Sequence, residues 1–143
     1  MKKINFISVA SVLLVLIGVS LWADAVIIEF KSEPGFNKVY LSWKVIHESN
    51  IKGYQIQRSL NGVNFSPVDF VPRSREQASP ENPKTYQYVD RSVYKPIGYT
   101  FYYRLGIVES QSSKVVAFSQ IVMVTPNVSG VRHTWGSIKA MFR

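Results

Sequence analysis

The stretch at residues 99–108, YTFYYRLGIV, restricts the possible folds of this chain more than any other. Read alternately, it puts Tyr99, Phe101, Tyr103, Leu105 and Ile107 on one side and Thr100, Tyr102, Arg104, Gly106 and Val108 on the other. That period of two makes a strand with one wholly apolar face. A helix would spread the same aromatics around its girdle, and aromatic and β-branched residues fit the pleated surface better. The rest of the chain has to supply what packs against that face.

Residues 38–46 repeat the pattern, with Val39, Leu41, Trp43 and Val45 facing one way and Lys38, Tyr40, Ser42 and Lys44 the other. Trp43 is expected in the core. Residues 26–31 read as a first strand with Ile28 and Phe30 inward, and Pro34-Gly35 as the turn after it. The polar residues 47–52 lead into Gly53, after which Tyr54, Ile56 and Arg58 alternate with Gln55, Gln57 and Ser59. Asn61-Gly62 predicts a type I′ hairpin turn, since both residues tolerate positive φ, and pairs residues 54–59 with residues 64–71. Residues 86–90 form a short strand, residues 95–98 a turn and residues 109–113 a polar hairpin loop. A last strand at residues 114–124 carries a bulge at Ser119-Gln120 that restores the inward register of Val122 and Val124. About seven short strands, with turn chemistry and no helical pattern between them, predict an antiparallel β-sandwich.

The ends are different. Lys2 and Lys3 precede residues 4–23, which carry no charge, and Ala23-Asp24-Ala25 places small residues where a signal peptidase inspects the chain. A run of about 20 apolar residues is also long enough to span a membrane as a helix. Residues 1–25 are therefore read as a cleaved export signal or as an uncleaved N-terminal anchor associating with the membrane through residues 4–23. Both put the body, residues 26–126, outside the cytoplasmic membrane.

In the tail, residues 127–143, Trp135, Ile138 and Phe142 share one face of a short helix, with Arg132, Lys139 and Arg143 supplying positive charge. Three readings stand for it: docking on the chain's own sandwich or remaining disordered, contact with a partner or assembly, and lying on an anionic membrane surface. Residues 72–84, PRSREQASPENPK, hold three prolines and almost nothing apolar, which predicts a mobile loop. Arg73 and Arg75 are its conspicuous candidates for partner contact.

Composition narrows the chemistry. There is no cysteine, so disulfides, thiolate metal sites and a cysteine nucleophile are excluded together. The formal net charge is +8, but the basic residues are dispersed and not grouped in runs, which argues against nucleic acid and leaves either a solvated face or a polyanion partner. Only His47 and His133 could act as bases near neutral pH, one in a polar turn and the other beyond the body. No acid pair, phosphate loop or metal-ligand spacing occurs. The reading is therefore a protein that is not an enzyme and binds no metal or cofactor.

Several of these features together resemble a fibronectin type III domain of the bacterial extracellular kind, over about residues 26–125. They are Val39-x-Leu41-x-Trp43, the Gly53-Tyr54-x-Ile56-x-Arg58-Ser59 strand, the Asn61-Gly62 turn, Tyr86-x-Tyr88-x-Asp90, Tyr103-Arg104-Leu105 and the closing Phe118-Ser119 strand. The resemblance implies a seven-stranded, immunoglobulin-like antiparallel β-sandwich, flanked here by the N-terminal hydrophobic helix and the short C-terminal tail helix. It also implies the family's work as spacer, adhesion module or accessory domain. The pattern departs where Phe101 stands in place of a corner tyrosine, so that the usual hydroxyl-to-backbone bond is lost unless Tyr99 supplies it, and residues 109–113 contain no Arg-Gly-Asp.

The expected function is an exported, non-catalytic binding or scaffolding module for a protein or envelope polymer, in the cell envelope or outside the cell. Two alternatives are a membrane-anchored component of an envelope assembly, and a polyanion or carbohydrate binder using Lys and Arg with surface tyrosines such as Tyr40 and Tyr102.

Overall fold

The computed structural model describes residues 23–93 and 98–127. The leader through Trp22, residues 94–97, which hold most of the expected turn at 95–98, and the tail from residue 128 onward lie outside the described residues, and with them both expected helices. Everything described is β-structure, loop or turn.

Two antiparallel sheets face each other. In the smaller, β1 (Asp24–Gly35), β2 (Lys38–Ser49) and β5 (Lys84–Asp90) lie in the order β1-β2-β5. In the larger, β4 (Ser66–Pro72), β3 (Ile51–Ser59), β6 (Phe101–Glu109) and β7 (Val115–Phe118) lie in the order β4-β3-β6-β7, and β8 (Val122–Val124) pairs β6 further along the same edge. The expected continuous last strand is thus broken into two. Ser119 sits at the break, its amide donating to the Leu105 carbonyl while its Oγ accepts from the Leu105 amide. Ser119 therefore takes over the β6 backbone groups that an unbroken ladder would pair. The seven expected strands become eight segments filling seven strand positions.

The core forms where the inward sides of the two sheets meet. Val39, Leu41, Trp43 and Val45 of β2 are buried as alternation dictates, against Tyr54 and Ile56 of β3 and Phe101, Tyr103, Leu105 and Ile107 of β6. Trp43 stacks on Tyr86 at 5.4 Å and meets Tyr54 edge-on at 5.5 Å, so one indole touches a ring from its own sheet and one from the facing sheet. Tyr99 precedes β6, stands half exposed, and does not join the buried row.

Four local expectations are corrected. Ile28 points outward, 52% exposed, because the β1–β2 ladder shifts register twice, between Val26 and Ile27 and between Ile27 and Glu29. The second shift leaves Ile28 without a partner, and Phe30 alone of the two turns inward. The first turn comes later than Pro34-Gly35, at Phe36-Asn37. Gly35 pairs Lys38, and Asn37 adopts φ 52°, a conformation an asparagine tolerates. At Asn61-Gly62 only Gly62 has positive φ, 73°, so the turn is not type I′. Instead the Asn61 Oδ1 accepts from the amides of Val63 and Asn64 and the Ser59 Oγ from those of Asn61 and Gly62, closing a wider loop over the expected β3–β4 pairing. Residues 47–52 are no simple polar turn either: β2 runs to Ser49, and Asn50 at φ 52° makes the reversal.

The loop at residues 72–84 is tied down where mobility is expected. Ala78 is buried in the core, the Arg73 amide donates to the Lys52 carbonyl, and Ser79 and Asn82 exchange backbone hydrogen bonds. One small apolar side chain at the right place anchors a segment whose composition alone suggests none.

At Gly53 β4 leaves no room for a side chain on β3. A Cβ there would stand 2.3 Å from the Val71 carbonyl oxygen and 2.7 Å from the Phe70 ring. Gly53→Ala should therefore force β4 away and lower stability by roughly 2 kcal/mol or more in urea unfolding. A loss below about 0.5 kcal/mol would show that β4 is not held this closely.

Candidate functional site

Two carboxylates are buried in the sandwich, each gripped from the opposite sheet. Asp90, at the end of β5, is fully buried. Its Oδ2 accepts from Arg58 Nη1 at 2.6 Å and from the Tyr103 hydroxyl at 2.8 Å, both from the larger sheet. Its Oδ1 takes the Ser92 amide and hydroxyl at 2.9 and 2.6 Å. Burial works to raise the Asp90 pKa, but the Ser92 bonds, Tyr103 and the Arg58 charge outweigh it and hold the carboxyl below its ordinary value.

Glu48, at the end of β2, is 1% exposed. Its Oε1 accepts from the hydroxyls of Tyr54 and Tyr86, at 2.7 and 2.8 Å. Its Oε2 and the Trp43 Nε1 are buried without a partner among the described residues. Alternation misses Glu48 as an inward residue. The register shift opposite Val26 and Ile27 skips Ile46 and so turns Glu48 into the core, where parity counted from Val45 would have placed it outside. Burial, then the Glu48 carboxylate, raises both phenols, with Tyr86 pushed up to about 12.

These acids have geometry suited to holding the sheets together. Both Asp90 oxygens and the Glu48 Oε1 face phenols, a guanidinium and a serine. His47 is exposed, and no group of three His, Asp or Glu able to hold a metal occurs among the described residues.

The residues expected to touch a partner are not brought together. Arg73 is partly buried, and its charge acts on the Tyr54 and Tyr86 hydroxyls, so it belongs to the Glu48 cluster. Arg75 is exposed on the same loop. Arg132, Trp135, Ile138, Lys139, Phe142 and Arg143 lie outside the described residues.

The two solvent faces of the sandwich differ in chemistry. On the smaller sheet, Lys31 pairs with Glu29 at 2.5 Å and Lys38 lies over the Tyr40 ring, so charges of both signs are interspersed. On the larger sheet, Arg104 is clamped between two phenyl rings, its Cζ 4.2 Å from the Phe65 centroid and 3.8 Å from that of Phe118. Its Nε donates to Gln57 Oε1 at 2.8 Å, and Gln57 Nε2 donates to Gln55 Oε1 at 2.7 Å. Gly106, opposite Gln55 and Phe118, leaves room there: a Cβ would meet Val115 at 3.0 Å and Gln57 Nε2 at 3.5 Å. Alternation places Arg104 on the outer side, but nothing in the order of residues says that Phe65, in a loop, and Phe118, on another strand, converge on it.

Three open clefts flank these features. One of about 290 Å³ runs between β1 and β7 past Ile27, Phe30 and Ile107. One of about 330 Å³ lies at the β3–β4 loop beside Arg58, Asn61 and Asn64. A third, of about 350 Å³, crosses the smaller sheet past Glu33, Tyr40 and Gln87.

No protein-family model matches the chain, and no curated protein matches it. Among solved structures, the crystal structure of a β-1,2-glucanase from Parabacteroides distasonis is similar, at 23% identity and a TM-score of 0.49 over 73% of this chain. The chain spans 13% of that protein's length.

The buried acids make opposite predictions at the two ends of the pH scale. Asp90 has a folded pKa below its ordinary 3.8, so its contribution is complete well above that value and is lost as pH falls through the folded value. Asp90→Asn should cost about 3 kcal/mol at neutral pH and flatten the acid limb of stability below about pH 4. Tyr86 is raised from 10.0 to about 12, so its contribution is present below pH 10 and lost as pH climbs toward 12. Tyr86→Phe should flatten that alkaline limb, read by urea unfolding across the range. An unchanged limb in either variant would remove that residue from the account.

Proposed function

We propose that the chain is an exported, non-catalytic binding or scaffolding module of fibronectin type III character, working in the cell envelope or outside the cell. The observation that carries this reading is where the buried polar groups are spent. Glu48 and Asp90 hold one sheet to the other through Tyr54, Arg58 and Tyr103, and two broad sheet faces are left open to solvent. A sandwich built this way is suited to presenting surface. The strand order β1-β2-β5 against β4-β3-β6-β7, with Trp43 and Tyr103 buried between, supports the fibronectin type III assignment. The Lys2-Lys3 start and the uncharged run after it support export.

One observation favours the anchored alternative. The first strand begins at Asp24, where Asp24 and Ala25 already pair Ser49 and Glu48. Cleavage after Ala25 would remove both pairings, whereas an anchor would leave them intact and hold the sandwich directly against the membrane.

Fractionation of producing cells, with intact-mass measurement of the recovered chain, tests both. The exported reading expects the protein to be reached by protease added outside the cytoplasmic membrane. A mature chain starting at Val26 removes the anchor, and a full-length chain in the membrane fraction establishes it. Protein found only inside, protected and full length, overturns the proposal. Cross-linking in intact cells should join the chain to an envelope macromolecule, and a chain that is never joined to anything speaks against the binding role.

A further inference from the structure

We infer that Arg104, clamped between Phe65 and Phe118 on the open face of the larger sheet, is a recognition site for the carboxylates of an acidic polysaccharide. The inference rests on the binding-module reading and names the chemistry of its partner.

The guanidinium is already ordered. Its Cζ lies over two phenyl rings, at 4.2 and 3.8 Å, and Nε is committed to Gln57, whose own amide is held by Gln55. Its remaining donors, on Nη1 and Nη2, meet no acceptor among the described residues, and no carboxylate there lies within ion-pair distance of Arg104. Arg58 is the contrast: it lies over a ring too, that of Phe101 at 5.5 Å, but its charge is taken up by Asp90. Arg104 is thus an arginine fixed in orientation and charged, with the end of its fork unbonded among the described residues. A planar fork takes a carboxylate through two parallel hydrogen bonds, and a fork that is ordered beforehand loses less entropy on binding.

The surroundings fit a carboxylated sugar chain. Phe118 is 51% exposed, and Phe65, Tyr102 and Phe70 add ring surface to the same side, where C–H faces of sugar rings can lie. The Gln55 amide group is placed to meet hydroxyls. Phe118 also lines the cleft between β1 and β7, so the ring surface continues from Arg104 to that opening. The charge also fits: Arg104 has no carboxylate within ion-pair distance among the described residues, whereas on the opposite solvent face Lys31 is paired with Glu29.

The test titrates the full-length protein with oligogalacturonate at about 0.15 M salt, where diffuse attraction is largely screened. Its methyl ester and a poly-glutamate peptide are run in parallel. The expected result is binding of the oligogalacturonate, loss on methyl esterification, and weaker binding of poly-glutamate. Arg104→Lys keeps the charge and loses the fork, and should weaken binding by roughly tenfold or more. Phe118→Ala should also weaken it, and Lys31→Ala, on the other face, should not. Thermal unfolding confirms that each variant is folded. No binding, an Arg104→Lys variant that binds like the parent, or poly-glutamate binding as tightly as the uronate would each overturn the inference. The module reading fails separately: if the chain still cross-links to an envelope macromolecule while Arg104→Lys changes nothing, the sugar site falls and the module stands.

Discussion

The indole of Trp43 meets Tyr86 beside it and Tyr54 across from it, and this contact is where two sheets become one body. The three rings come from β2, β5 and β3, so no two of them are neighbours in the chain, and each closes a different part of the topology. Without cysteine, no covalent tie can substitute for that contact. Burying large aromatic surfaces between the sheets is therefore the main favourable term available, and the polar tips of those rings must be accommodated with them.

That requirement explains the buried acids. The hydroxyls of Tyr54 and Tyr86 need acceptors once they are dry, and Glu48 offers both the same oxygen. Tyr103 and Arg58 find theirs in Asp90. Along β3 and β5 alike, the two clusters are four residues apart, about 13 Å of strand. They bracket the aromatic centre and tie the layers on either side of it. The same logic draws in the loop at residues 72–84, because the Tyr86 hydroxyl accepts the Ser74 amide while Ala78 plugs the core.

With the interior so committed, what distinguishes this sandwich chemically lies on its outer faces. One is a mixed-charge surface of ion pairs. The other gathers rings, amides and a single ordered arginine on strands whose backbones are fixed by the core beneath them. A site on strands is held more rigidly than one on loops, and Arg104 takes its position from β6 while only Phe65 comes from a turn.

The period-two pattern of residues 38–46 and 101–107 by itself determined that the body between residues 26 and 126 is built of strands, which side of β2 and β6 is buried, and that Trp43 is central, because in a strand parity alone assigns a side chain to a face. Parity fails wherever the ladder slips. The double shift in β1–β2 exposes Ile28 and buries Glu48, and no local residue choice announces it, since a bulge is set by the partner strand. The turn at Asn61-Gly62 was legible as a turn, and the first turn reads from the sequence two residues early, at Pro34-Gly35, because where pairing ends decides which residue takes positive φ. Ala78 and the Phe65–Arg104–Phe118 stack were not legible at all. Each joins residues far apart in the chain, and only the closing of the two sheets brings them within reach of one another.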